Sequence, residues 1–401
     1  MVYLAGDNDL ETYGVKDLGE MKAVGSTDEV AVVAEFDRMS DQVTRRYYLT
    51  ANQDLEADCV AELPEVNTGD PKALVSFATW ACQAYPAERY ALVLWNHGAG
   101  WKDDDIYHAA AARGIVSKVG RGQIRSLTGG KPSRALFRTS LEQLVVEASE
   151  RAILFDDSAT DFLDNQELKC VLEKTVQVAA RPLDLLGFDA CLMNMLEVHY
   201  QVRDLCRVVV GSQEVEPGDG WPYDAVLARL VAEPAMTAEE LAQVIVDEYV
   251  EHYATRSPSL PVTQSAVSVA SVAPLAEAVS SLGRAGLACL SDKQAVGLLF
   301  GALRYAQSFT DRDYIDLGHF CGLLAQDAAE TPVGAAAQRV VDVLASAASP
   351  VLAEAHHGPG VDNASGLSIY LPVRVLSPLY SGLDFAKEHR WDEFLTAFVH
   401  P

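Results

Sequence analysis

The chain lacks paired cysteines. Its seven (Cys59, Cys82, Cys170, Cys191, Cys206, Cys289 and Cys321) are odd in number and scattered, with no C-x-x-C spacing. That argues against a disulfide framework or a thiolate zinc site and fits reduced thiols. No apolar run reaches about 18 residues, so no segment reads as a membrane span. The opening, "MVYLAGDNDLE", has neither a charged leader nor a cleavable apolar stretch and begins on what reads as a core strand. Met1 therefore need not be the native start. The expected compartment is the cytoplasm if it is, and an exported location if the chain is a trimmed fragment.

Positive charge is also scarce: 31 Lys and Arg stand against 57 Asp and Glu, for a net charge of −26. This argues against nucleic acid as a partner and creates a field that attracts cations, although plain solubility accounts for most of such a charge. A doubly wound nucleotide-binding protein is a poor fit, because neither G-x-G-x-x-G nor G-x-x-x-x-G-K-[ST] occurs.

What the chain has is length and apolar content, 401 residues of which 49% are hydrophobic, ample for a large core. Short β-branched runs alternate with helical stretches. Strands are expected at 2–5, 30–37, 42–50, 90–97, 152–157, 183–190 and 207–215. Helices are expected after Asp9 (a candidate cap), over 71–84, from Asp164 to about 178, and from 192. Such alternation implies an α/β fold with a mostly parallel sheet covered on both faces. Beyond 230 the pattern turns helical (237–254, 273–290, 293–306, 314–327 and 333–354), with strand candidates at 264–270 and 366–372. The expected organisation is a catalytic core over 1–230, carrying a basic loop insertion at about 98–150. A helix-rich C-terminal subdomain over 231–401 completes the same domain.

Two strand ends draw attention. "ALVLWNHGAGW" ends on Asn96–His97–Gly98 and "LLGFDAC" on Asp189–Ala190–Cys191. Ligands bind beyond the carboxyl ends of parallel strands. If the two strands are neighbours, His97 and Cys191 face one crevice, where an imidazole beside a thiol makes a nucleophile. Gly98 lets its backbone N–H approach a substrate, and with the N–H of Cys191 it forms a candidate oxyanion hole. Each residue alone is more often structural; the pairing at two strand ends is the signal.

Six blocks, "VYLAGDNDLE", "VLWNHGAGW", "GFDACLMNMLEVHY", "VVVGSQEVEPGDGWPY", "YIDLGHF" and "NASGLSIYLP", fall in order from residue 2 to residue 372. Together they resemble the clostripain family of cysteine peptidases, of the caspase, legumain and gingipain group. The resemblance implies a caspase-like α/β/α sandwich, a His97–Cys191 dyad, and peptide or protein substrates with Arg or Lys before the scissile bond. Nucleic-acid and membrane partners are not implied. Asp189, two residues before the cysteine, matches a position that lines the primary specificity pocket in the related caspases, where it would pair with a basic side chain. Its other reading is an N-cap for a helix from 192. Asp7 and Asn8 either orient His97 and shape the pocket or cap the next helix. Trp221 either walls the pocket or packs on the core. Two departures from the family pattern bear on substrate preference: Ser212–Gln213–Glu214 for Ser-Glu-Glu, which puts Ser212 at a pocket rim short of one charge, and Ser265–Ala266–Val267–Ser268 without its terminal acid.

No cofactor is required by the sequence. Calcium enters only through the family resemblance, with Asp103–Asp104–Asp105 as a candidate; a run of three acids is more often a solvated loop, and no EF-hand pattern supports a site. His356–His357 has no third ligand nearby. Residues 113–138 hold seven Lys or Arg and no acid, with five glycines and a proline. This window is expected to be a long loop and a self-cleavage site, with Arg113, Lys118, Arg121, Arg125, Lys131 and Arg134 as candidates. Its alternative reading is a basic surface insertion. The alternative for the whole chain is a catalytically idle caspase-like scaffold that binds basic peptides.

Overall fold

The computed structural model describes residues 1–51, 53–98, 100–101, 152–156, 161–377 and 379–399. The basic window 113–138, with its six candidate cleavage positions, and Asp103–Asp105 lie outside them.

Five strands form a parallel core: β1 (Val2–Gly6), β2 (Val33–Arg38), β5 (Ala91–Trp95), β8 (Leu183–Asp189) and β9 (Cys206–Gly211). β3 (Val43–Tyr48) and β4 (Cys59–Pro64) extend one edge as antiparallel neighbours. On the other edge β10 (Val262–Ser268) pairs antiparallel with β9, and β12 (Val351–His357) with β10. The nine-stranded order is β12-β10-β9-β8-β5-β1-β2-β3-β4. The chain leaves β1 for β2 on one side and later adds β5, β8 and β9 on the other. The direction therefore reverses between β1 and β5, where a crevice opens at the carboxyl ends. Two small antiparallel pairs stand apart from this sheet: β6 (Ala152–Asp156) with β7 (Asp161–Asp164), and β11 (Tyr314–Asp316) with β13 (Ser368–Tyr370).

Both faces of the core are apolar because successive side chains point to opposite sides. Val2, Leu4, Val93, Trp95, Val208 and Val210 pack under α1 (Glu11–Val24), α6 (Tyr223–Ala232) and α7 (Ala238–Arg256). Tyr3, Ala5, Leu92, Leu94, Phe188 and Val209 pack under α3 (Pro71–Ala84), α4 (Asn165–Ala179), α5 (Leu196–Gln201) and α8 (Val272–Cys289). α10 (Leu317–Asp327), α11 (Pro332–Ala345) and α13 (Trp391–Val399) continue that second core. The four-residue α2 (Leu55–Asp58), α9 (Lys293–Tyr305) and α12 (Asp384–Glu388) complete the helices among the described residues.

Three expectations from the sequence are corrected. No helix begins at 192: α5 starts at Leu196, after Leu192 turns the chain at φ 64°. The helix expected over 333–354 stops at Ala345, and 351–357 is instead the edge strand β12, where Ser268 N–H bonds the Pro350 carbonyl. Strand 207–215 ends at Gly211, and the residues after it fold over the end of β8.

Candidate active site

β5 and β8 are neighbours in register, Trp95 opposite Asp189, and the pairing continues as Asn96 N–H bonds the Asp189 carbonyl at 3.2 Å. The next residues of both chains therefore stay side by side. A Cβ on Gly98 would lie 2.0 Å from the carbonyl oxygen of Cys191 and 2.4 Å from its nitrogen. Only glycine permits that approach, so the structure brings the His97–Gly98 and Ala190–Cys191 segments together.

Each side is anchored. Asn8 and Asn96 both donate to the Ala5 carbonyl, at 2.9 and 2.7 Å, and Asn8 Nδ2 also reaches Asn96 Oδ1 at 3.3 Å, so the two asparagines bridge the ends of β1 and β5. Asn8 Oδ1 takes the Leu10 N–H at 2.9 Å. The partner of the histidine is neither Asp7 nor Asn8: His97 Nε2 lies 2.7 Å from Asp9 Oδ1. The N-cap position of α1 is Leu10 rather than Asp9. Asp7 instead sits with Asp37 and Glu65, the carboxylate oxygens all within 4.8 Å of one another. Burial pushes the Glu65 carboxyl up, followed by the charge of Asp7 and a hydrogen bond to it. These are hard oxygen donors of the kind calcium accepts, but they lie at the β1 and β2 ends, away from the strand that carries Cys191.

The loop after β9 covers the end of β8. Its Glu214 carbonyl accepts the Leu192 N–H at 3.1 Å, its Ser212 carbonyl accepts the Asn194 N–H at 2.9 Å, and its Glu216 N–H lies 3.3 Å from Cys191 Sγ. Asp189 is buried and is not a helix cap. Its Oδ2 accepts the Tyr223 hydroxyl at 2.7 Å and the Trp221 N–H at 3.2 Å. Burial pushes the Asp189 carboxyl up to about 6, against hydrogen bonds from Glu216, Tyr223 and Trp221 that favour the charged form. Glu216 is raised well above the usual carboxyl range, by burial first and then by the charge of Asp189.

The remaining sequence candidates play supporting parts. Trp221 is core-packed: a Cβ on Gly187 would meet its ring at 2.8 Å, and its contribution to Asp189 is the backbone N–H. Ser212 is fully buried, with its hydroxyl on the Glu214 carbonyl and on Thr263 Oγ1, each at 2.9 Å, so it forms no rim. Gln213 is likewise internal, donating to Asp316 Oδ2 at 3.0 Å and Ser368 Oγ at 3.2 Å and accepting from Gly366 N–H at 2.9 Å. A glutamate there would face the buried Asp316, so the neutral residue fits its surroundings. Ser268 pairs with Val208 at the far end of the sheet. Of the two departures, Gln213 lies in the loop that folds over the end of β8 but turns its side chain to Asp316 and Ser368.

In fold the chain is a caspase-like α/β protein of the C11 cysteine protease type. A secreted C11 cysteine protease from Bacteroides thetaiotaomicron, solved with an irreversible peptide inhibitor, matches it with a TM-score of 0.64 at 19% identity, over 98% of this chain and 97% of that one. An inactive zymogen C11 protease from Parabacteroides distasonis matches with a TM-score of 0.62 at 20% identity, over 97% and 96%. The chain belongs to the clostripain family, whose model matches residues 2–116 and 142–398. It is 28% identical to clostripain of Hathewaya histolytica in an alignment of 261 positions that covers 58% of this chain and 42% of that relative. The match thus spans less than half the length of that protein.

Two predictions follow from the geometry. Gly98→Ala should separate the two strand ends and abolish turnover of any substrate while the far-ultraviolet circular dichroism stays native; retained turnover would show that the approach is dispensable. Asp9 is 65% exposed, so its hold on His97 is screened by water. Asp9→Ala should lower kcat only about two- to fivefold, the scale of an exposed ion pair of ~0.5–1 kcal/mol, with a smaller effect in high salt.

Proposed function

We propose that this protein is a cysteine endopeptidase that cleaves after Arg or Lys, with His97 and Cys191 as its dyad. The observation that carries the reading is the Gly98–Cys191 backbone approach, which places a histidine and a cysteine on adjacent strand ends. In the proposed reaction His97 takes the thiol proton, and the thiolate attacks the scissile carbonyl. The oxyanion is received by the N–H groups of Gly98 and Cys191. The amine leaves with the proton held by His97, and water then hydrolyses the thioester, returning the thiol. Asp189 binds the basic side chain, supported by its burial and by donors that hold it as a carboxylate.

Peptide amides that differ only before the scissile bond test this. Cys191→Ala should abolish hydrolysis and His97→Ala should be nearly as severe, whereas loss of a single oxyanion donor typically costs only about 10²–10³ in rate. Asp189→Asn should reduce cleavage after Arg far more than after neutral residues. Removing one partner of a buried charge pair costs roughly 2–5 kcal/mol, on the order of 30- to several-thousand-fold. Equal losses on both substrates would return Asp189 to a structural role. A protein that binds basic peptides with no turnover at all would be the idle scaffold.

The same specificity supports self-processing within 113–138, a basic, glycine-rich window between His97 and Cys191 in the chain. Purified wild type should run as two fragments on a denaturing gel, cut at one of Arg113, Lys118, Arg121, Arg125, Lys131 or Arg134 by intact mass, while Cys191→Ala stays whole. A mutant split at the same position would assign the cut to another protease.

A further inference from the structure

Asp17 lies in the middle of α1, fully buried, and has no part in the reaction described above. Its Oδ2 accepts the indole N–H of Trp95 at 2.7 Å, and its Oδ1 has no hydrogen-bond partner. A buried carboxylate oxygen without a donor is costly and calls for an explanation. Its surroundings supply one. The position a Cβ on Gly220 would take is 3.0 Å from Asp189 Oδ2 and 3.1 Å from Asp17 Oδ2. Two carboxylates from different elements thus flank one spot, and the residue there, at φ 60°, puts no side chain into it.

We propose that Asp17 is a second specificity-determining carboxylate, which binds the head group of the substrate's basic side chain opposite Asp189. The inference rests on the reading of Asp189 given above. A guanidinium carries five N–H donors in a planar fork, more than one carboxylate can accept, and a second acceptor across the spot takes the remainder.

The charge balance is consistent. The groups around Asp17 are Lys16 and Glu20 on α1, Trp95 at the end of β5, Asp189 on β8, Glu216 and Asp219 in the loop after β9, and Tyr223 and Tyr253, whose hydroxyls bond Asp189 and the Gly220 carbonyl. Lys16 Nζ stands 4.0 Å from Asp17 Oδ1 but is closer to Glu20, at 3.1 Å, and Asp219, at 3.2 Å. Burial, and then the charge of Asp189, push the Asp17 carboxyl up to about 9. Both causes favour the neutral form of Asp17 while no ligand is bound. A guanidinium favours the charged form of Asp17, so binding releases a proton to solvent.

Asp17→Asn keeps an acceptor for Trp95 and removes the charge, which separates specificity from structure. The first measurement is kcat/KM of wild type and Asp17→Asn on three fluorogenic amides that differ only in Arg, Lys or norleucine before the scissile bond. The expected result is a roughly 10- to 100-fold loss on Arg, the range of a charge-assisted hydrogen bond, with norleucine unchanged. Equal loss on Arg and norleucine, or no loss, overturns the proposal. The second measurement needs no folded Asp17 variant: agmatine is titrated calorimetrically into Cys191→Ala at pH 7.5 in two buffers of different ionisation enthalpy. Proton release that persists in Cys191→Ala/Glu216→Gln supports the role of Asp17, and binding without release, or release lost with Glu216, overturns it. If wild type cleaves after norleucine as well as after Arg and agmatine does not bind, the reading of Asp189 itself falls, and this one with it.

Discussion

Beyond the last paired residues of β5 and β8 the two chains do not diverge, because Gly98 has no Cβ to hold them apart. The Asn96 N–H still reaches the Asp189 carbonyl, and one step on, the backbone of Gly98 rests on that of Cys191. A strand end is a soft place in most sheets, since pairing has stopped and side chains are free to splay. Here it is held from several sides. Asn8 and Asn96 tie β1 to β5 from behind through the Ala5 carbonyl. The loop after β9 clamps Leu192 and Asn194 from above. Trp101, fully buried against Tyr370 and Tyr380 at ring distances of 4.5 and 5.0 Å, anchors the chain leaving Gly98. These contacts fix the geometry before any substrate arrives, which is the preorganisation that nucleophilic and oxyanion chemistry require.

Holding Cys191 there has a local cost. Leu192 adopts a left-handed backbone at φ 64°, disfavoured for a residue with a Cβ by roughly 1–2 kcal/mol. The turn it makes delays α5 until Leu196, so the cysteine sits in a turn rather than on a helix N-terminus. A helix dipole therefore does not act on the thiol, which in the proposed reaction is activated by His97.

The sequence made the core of this arrangement legible. Parallel strands buried on both faces are near-continuous apolar runs, so β1, β2, β5, β8 and β9 could be read off, and with them the strand ends carrying His97 and Cys191. What escaped was whatever depends on a one-residue shift or on a distant partner. Asp7, Asn8 and Asp9 are adjacent, and which of them reaches His97 is decided by where β1 stops and by the Asn8 side chain taking the Leu10 N–H. Val351–His357 follows an alanine-rich stretch that favours helix, but Pro350 interrupts it and pairing with β10 supplies the ladder, a tertiary partner that outweighs local propensity. Asp17 gave no signal at all, because an aspartate in a charged helix reads as solvated.

Asp17, Asp189 and Glu216 share one physical tension. Each is withdrawn from water, and three like charges so close cannot all be carried in a medium that screens poorly. Burial pushes all three carboxyls up; donors from Tyr223 and the Trp221 backbone oppose this at Asp189, while the charge of Asp189 adds to it at Asp17 and Glu216. A cluster that served only the fold would be more stable with apolar groups of similar size in those places. Asp17 and Asp189 both come within about 3 Å of the point a Cβ on Gly220 would take, and among the described residues no cation lies between them. Lys16, the cation closest in sequence, is drawn outward to Glu20 and Asp219 rather than inward between Asp17 and Asp189. In the proposed reading the compensating charge comes from a ligand, a long side chain ending in a guanidinium or ammonium whose backbone stays at the strand ends.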